Sequence, residues 1–171
     1  LWWTPFRHFG WTLFFIVLLP AGLAYLFSYA VFKKRVSGVY FSIVTLSLAL
    51  TLTVLIVGQQ GDTGGANGIT DFRTLLQLPI TTEAAQRNLY FVAVGVLGLV
   101  MGAALFVARS RLGKVLIAIR DQEGRVRFSG YNTAHIKAAV FALAALFSAI
   151  GGAFYTLQVG LIAPNAIGVV A

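Results

Sequence analysis

The sequence predicts an all-α, polytopic integral membrane protein: a helical bundle of four transmembrane helices, with an amphipathic segment in one connecting loop. Three observations carry that class. The 171 residues are 58% hydrophobic and only 11% charged, against about 25% charged residues in a soluble domain. The charges avoid four windows, 11–32, 38–57, 89–108 and 138–157, in which no Asp, Glu, Lys or Arg occurs; a charge at mid-bilayer costs about 2.5–3.5 kcal/mol. At about 1.5 Å per helical residue each window can cross a hydrocarbon core of about 30 Å, whereas a barrel strand needs only about ten residues and alternates in polarity. A soluble enzyme is excluded.

The first window is followed by Lys33, Lys34 and Arg35 and has no small-residue cleavage site, so it reads as a stop-transfer span rather than a signal peptide. Pro20 and Gly22 near its middle predict a kink, because proline lacks an amide donor and its ring clashes with the preceding turn. The chain opens on Leu1 rather than Met and stops at Ala171 just after an apolar run, which suggests a fragment of a longer protein.

The net charge of +8 invites a nucleic-acid reading, but its distribution is that of a membrane topology. Ten of the 13 basic residues fall between spans one and two (Lys33, Lys34, Arg35) or between spans three and four (Arg109, Arg111, Lys114, Arg120, Arg125, Arg127, Lys137). Arg7, Arg73 and Arg87 are left for the other side, beside Asp62, Asp71 and Glu83. By the positive-inside rule the 33–37 and 109–137 loops are cytoplasmic and both ends of the chain face outward. Trp2, Trp3 and Trp11 then fall in the outer aromatic belt, and Tyr25 and Tyr29 lie nearer the inner end of span one.

Span two is the most polar. At 100° per residue Ser37, Tyr40, Ser47 and Thr51 share an arc of about 80°. Such a stripe can line a path for a neutral hydrogen-bonding solute; equally, Ser and Thr can bond the carbonyls one turn back or hold helices together.

The segment that follows, Gly58 to Phe72, is rich in glycine, but no Lys-Ser or Lys-Thr follows its glycines and no GxGxxG follows a soluble strand, so the chain has no nucleotide site of its own. It is either an outer loop or a re-entrant segment in which Asn67 and backbone amides meet a solute. Asp62, Asn67 and Asp71 are spaced too irregularly for an EF-hand. Span three sets Gly95, Gly98 and Gly102 on one face, and span four sets Ala138, Ala142, Ala145, Ala149 and Gly152 on another. Small faces let backbones approach closely, which implies packing against other helices of this chain or of a partner.

In the inner loop Leu112, Val115, Leu116 and Ile119 follow helical spacing, with Arg111, Lys114 and Arg120 elsewhere on the wheel, the pattern of a helix in the membrane interface. The segment from Asp121 to Arg127 then carries both signs of charge. It suits docking of a soluble protein by complementary charge, or a solvated loop drawn to anionic lipid. Catalysis finds no support: His8 and His135 stand apart in sequence, there is no HExxH or GxSxG, no cysteine, no metal-ligand cluster, and no carboxylate inside a span to relay protons.

Four stretches, SGVYFSIVTLSLAL (37–50), GGANGITDF (64–72), LGKVLIAIRDQEGRVRFSGYN (112–132) and the run ending GGAFYTLQVGLIAPN (151–165), resemble the inner-membrane permease subunits of bacterial ATP-driven importers for branched-chain amino acids and urea. RVRFSGYN and QVGLIAP look more like the urea-type subunit. The resemblance implies that residues 1–171 form a single transmembrane permease domain in a multi-pass protein of the bacterial inner membrane. It implies no ATPase activity or bound cofactor in this chain, ATP being used by two cytoplasmic ATPase partners. A second homologous permease, an extracytoplasmic solute-binding protein and membrane lipid are the other implied partners, and nucleic acid is not one. Carried onto this sequence, Arg120, Asp121, Glu123, Arg125 and Arg127 become the segment that couples to an ATPase, and Ser37, Tyr40, Ser47, Thr51 and Asn67 become the solute path, here for urea or a similar small amide. A branched-chain amino acid permease subunit of the same family is the alternative, and a non-transporting structural membrane subunit or a membrane-embedded enzyme the second.

Overall fold

A computed structural model describes residues 9–36, 38–58, 69–70, 74–75, 78–79 and 82–162. Five helices make up nearly all of these described residues: α1 (Phe9–Lys33), α2 (Val39–Gly58), α3 (Glu83–Arg109), α4 (Arg111–Phe128) and α5 (Thr133–Val159). Four of them, α1, α2, α3 and α5, are long and apolar enough to cross a membrane, and they contain the four charge-free windows except for Gly38, which precedes α2.

The helices also overrun those windows. α3 begins at Glu83 and takes in Arg87, and α5 begins at Thr133 and takes in Lys137. A charge-free window measures only what must avoid hydrocarbon, whereas the hydrogen-bond ladder continues until something caps it. Glu83 in the first turn of α3 and Arg109 in its last suit the helix dipole. α1 runs as one helix through Pro20.

The described residues fall into two compact units, one of residues up to 35 with 90–152, the other of 36–89 with those from 153 onward. In the first, the buried side chains are few: Ile119 of α4, Ala138 and Thr133 of α5, and Ser28 of α1. Ser28 is polar and fully buried, and its hydroxyl donates to the carbonyls of Ala24 at 2.6 Å and Tyr25 at 3.2 Å. Large apolar side chains farther along α1 and α3, such as Leu18, Leu23, Leu99 and Phe106, are exposed. In lipid such a surface carries no penalty.

In the second unit α2 has no buried residue. Among the described residues the β structure is limited to two antiparallel pairs of two-residue strands. β1 (Ile69–Thr70) pairs with β4 (Leu161–Ile162), Ile69 opposite Ile162, and β2 (Thr74–Leu75) pairs with β3 (Leu78–Pro79). The first pair joins the segment after α2 to the segment after α5.

The small-residue faces differ from each other. On α5 Ala138 is buried and Ala142, Ala145 and Ala149 are half-buried. A side chain added at Gly95, Gly98 or Gly102 of α3 would meet nothing within 4 Å. Among the described residues of this chain nothing packs closely on that glycine face.

Candidate functional site

Two groups of polar residues matter for function, and the helices hold them in different ways. On α2 the hydroxyls are bonded along their own helix: Ser47 donates to the carbonyl of Ile43 at 2.9 Å, Thr51 to that of Ser47 at 2.8 Å, and Thr45 and Thr53 to Ser42 and Ala49. Tyr40, Ser47 and Thr51 lie exposed on the face that the helical wheel assigns them, Tyr40 at 73%. A hydroxyl bonded to a carbonyl one turn back keeps its oxygen lone pairs, so Ser47 and Thr51 offer acceptors to a solute while their own protons are engaged. Ser37 and Asn67, assigned to the same path, lie outside the described residues.

The second group is the inner loop. α3 ends at Arg109, and Ser110 turns the chain into α4. Its hydroxyl donates to the carbonyl of Val107 at 2.7 Å and accepts from the amide of Leu112 at 3.2 Å, so one side chain caps α4 and holds the end of α3. Gly113 packs directly on this corner: a Cβ there would stand 1.9 Å from the Ala108 carbonyl oxygen. The expected interfacial helix forms, with Ile119 buried and Val115 and Leu116 half-buried, whereas Leu112 is exposed. Much of the apolar stripe is thus turned onto the protein itself.

α4 is broken at one residue. Gln122 has φ −151° and ψ 78°, outside helical geometry, and separates residues 111–121 from 123–128. Beyond the break Glu123 reaches α5: Lys137 Nζ donates to its Oε2 at 2.6 Å, Thr133 Oγ1 to its Oε1 at 3.0 Å, and Arg127 Nη2 to the same Oε1 at 3.1 Å. Arg127 also donates to Thr133 Oγ1 at 3.3 Å. Burial works to raise the Glu123 carboxyl, but the hydrogen bonds from Lys137 and Thr133 and the charges of Lys137 and Arg127 outweigh it and hold the group below the ordinary glutamate range.

The five residues assigned to coupling are therefore divided. Glu123 and Arg127 bond Thr133 of α5, whereas Arg120, Asp121 and Arg125, exposed as Arg127 also is, do not. Arg120 and Asp121 pair with each other at 3.1 Å, their side chains 77% and 59% exposed.

Sequence reasoning missed three residues here. Thr133 and Lys137 complete the Glu123 cluster; their spacing of four on one helix face, matching that of Glu123 and Arg127, was the available signal. His135, which stands alone in the sequence, has a partner in space: Tyr25 hydroxyl lies 2.6 Å from its Nδ1, and the Tyr29 ring lies 4.4 Å from the imidazole centroid to centroid. Lys33 Nζ stands over the Tyr29 ring and Lys137 Nζ over that of Phe32. These contacts bring the end of α1 to the start of α5, so the two loops richest in positive charge share one side.

The family model described as branched-chain amino acid transport system, permease component, matches residues 3–171. The chain belongs to this permease family. Together with four candidate spans among the described residues, that makes it a multi-pass protein of the inner membrane. This permease is similar to the high-affinity branched-chain amino acid transport system permease protein LivM of Escherichia coli (strain K12), 26% identical over 170 residues, covering 86% of this chain and 40% of the relative. It is likewise similar to LivM of Salmonella typhimurium (strain LT2), 25% identical with the same coverage. The chain thus spans about 40% of the length of the curated relatives it matches. No solved structure matches it.

Proposed function

We propose that this permease is a membrane subunit of an ATP-driven importer and that residues 1–171 act as one permease domain. It works beside a second homologous permease, receives solute from an extracytoplasmic binding protein, and is driven by two cytoplasmic ATPase subunits that use the ATP, with no cofactor bound by this chain. The observation that supports the reading is the inner loop: a helix between two spans, braced against α3 and α5, that presents Arg120, Asp121 and Arg125 outward on the positively charged side. A soluble partner of complementary charge has there a firm surface to push.

The solute path in this reading is made by Ser37, Tyr40, Ser47, Thr51 and Asn67, of which Tyr40, Ser47 and Thr51 lie on α2. Such a face carries hydrogen-bonding groups and no formal charge, which suits a neutral solute, or a zwitterion whose charges are met by helix ends and backbone dipoles. Branched-chain amino acids fit the family and the names of the relatives. Urea or a short amide is the second reading, favoured by the RVRFSGYN and QVGLIAP stretches.

Reconstitution of the complete complex with its binding protein tests both. Stimulation of ATP hydrolysis by leucine and not by urea or short amides supports the amino-acid reading and overturns the urea reading; stimulation by urea or short amides and not by leucine does the reverse. Charge reversal by Arg120→Glu with Arg125→Glu is expected to uncouple hydrolysis from uptake, and unchanged uptake would overturn the docking assignment.

A further inference from the structure

We infer that the inner loop is a two-part lever, jointed at Gln122, in which Glu123 is a positioning residue that pins the second part to α5 while the first part moves with α3. The inference deepens the reading of α4 as the coupling segment and rests on it.

Each half of α4 is fixed to a different transmembrane helix. The first half, residues 111–121, is held to the end of α3 by Ser110, which bonds both helices, and by Gly113, which sits so close to the Ala108 carbonyl that no side chain fits between them. The second half, residues 123–128, is held to α5 by the Glu123 carboxylate, whose two oxygens accept from Lys137 and Thr133. Charge-assisted bonds of this kind are the stronger and more directional ones. Arg127 closes the cluster from the same half, bonding both Glu123 and Thr133.

Between the halves stands one residue outside helical geometry, Gln122. Among the described residues no side-chain hydrogen bond links 111–121 to 123–128. Conformational change commonly concentrates at such element-terminal residues, which absorb the φ/ψ change while packed segments move as bodies. The outward residues straddle the joint, Arg120 and Asp121 before it and Arg125 after it. A partner gripping them therefore bends the loop at Gln122, and the angle is passed to α3 through Ser110 and Gly113 and to α5 through Glu123.

The test uses the full-length permease in its assembled complex, with spin labels on Lys114→Cys in the first half and Ala139→Cys on α5. Lys137→Met removes the strongest donor to Glu123. It is expected to widen the label-to-label distance distribution at least twofold and to raise the ATP used per solute imported about threefold, while Lys137→Arg, which keeps a cation, stays near the parent on both. Glu123→Gln, which keeps the shape and removes the charge, is expected to follow Lys137→Met and serves if that variant fails to assemble. An unchanged distribution in both variants overturns the pin. A widened distribution with an unchanged ATP ratio overturns its part in transmission. If Arg120→Glu with Arg125→Glu leaves the parent's coupling intact, the docking reading has failed instead, and the distance measurement still decides the pin.

Discussion

The hydroxyl face of α2 and the charged elbow between α4 and α5 are both polar, yet they are satisfied in opposite ways. Ser47 and Thr51 bond carbonyls of the same helix one turn back, so their contacts would persist if α2 were rotated or moved as a body. Glu123 bonds Thr133 and Lys137, 10 and 14 residues along the chain, on a different helix, so its contacts hold only at one relative placement of the two elements. Local satisfaction leaves a face free to meet a passing solute. Cross-element satisfaction fixes a shape, which is what a mechanical link needs.

Substitutions can break or sharpen that contrast. The largest effect is expected from Gly113→Ala, because the added Cβ meets a backbone oxygen rather than the end of a mobile side chain. Overpacking of this kind costs about 1–3 kcal/mol, and thermal unfolding in detergent should register a loss of several degrees. Gly98→Ala on α3, where nothing stands within 4 Å, is the control and should leave stability of the isolated chain close to the parent.

Next comes Thr133→Val, which keeps the volume and removes a buried hydroxyl that donates to Glu123 and accepts from Arg127. The expected cost is about 1–2 kcal/mol, read from the same unfolding curves. If the elbow is a true cross-element tie, hydrogen exchange should also rise in both residues 123–128 and the first turns of α5.

A smaller effect follows from pH. Glu123 is held below the ordinary glutamate range, so the folded state stabilises its ionised form. That contribution is fully present above the unfolded pKa of about 4.3 and is lost as pH falls through the lower folded value. Stability of the elbow should therefore decline on acidification below the ordinary carboxylate range, and Glu123→Gln should flatten that part of the profile. The smallest change in stability, within about 0.5 kcal/mol, is expected for Ser47→Ala and Thr51→Val, since each gives up an exposed bond to its own helix. Solute uptake should nevertheless fall with these variants, and uptake at the parent's rate would remove the face from the path.

Much of the fold was legible because its causes are local. Charge exclusion from hydrocarbon marked all four spans, and helical spacing of Leu112, Val115, Leu116 and Ile119 marked α4. The candidate site was legible in part. Tyr40, Ser47 and Thr51 are exposed, as is most of α2, and the five charged residues from Arg120 to Arg127 looked like one docking surface. Nothing in their one-dimensional pattern separates Glu123 and Arg127, which turn to α5, from Arg120, Asp121 and Arg125, which do not. His135 shows the same limit, since Tyr25, its hydrogen-bond partner, is 110 residues away.

The sequence by itself determined where the chain crosses lipid and which loops carry the positive charge, because the energy of a charge in hydrocarbon depends on the residue and its depth and not on its neighbours. Only the tertiary structure decided the break at Gln122, the pinning of Glu123 to Lys137 and Thr133, and the meeting of Tyr25 with His135. Those depend on distances between elements, and a carboxylate in a charged loop takes its role from whatever the fold places within hydrogen-bonding reach of it.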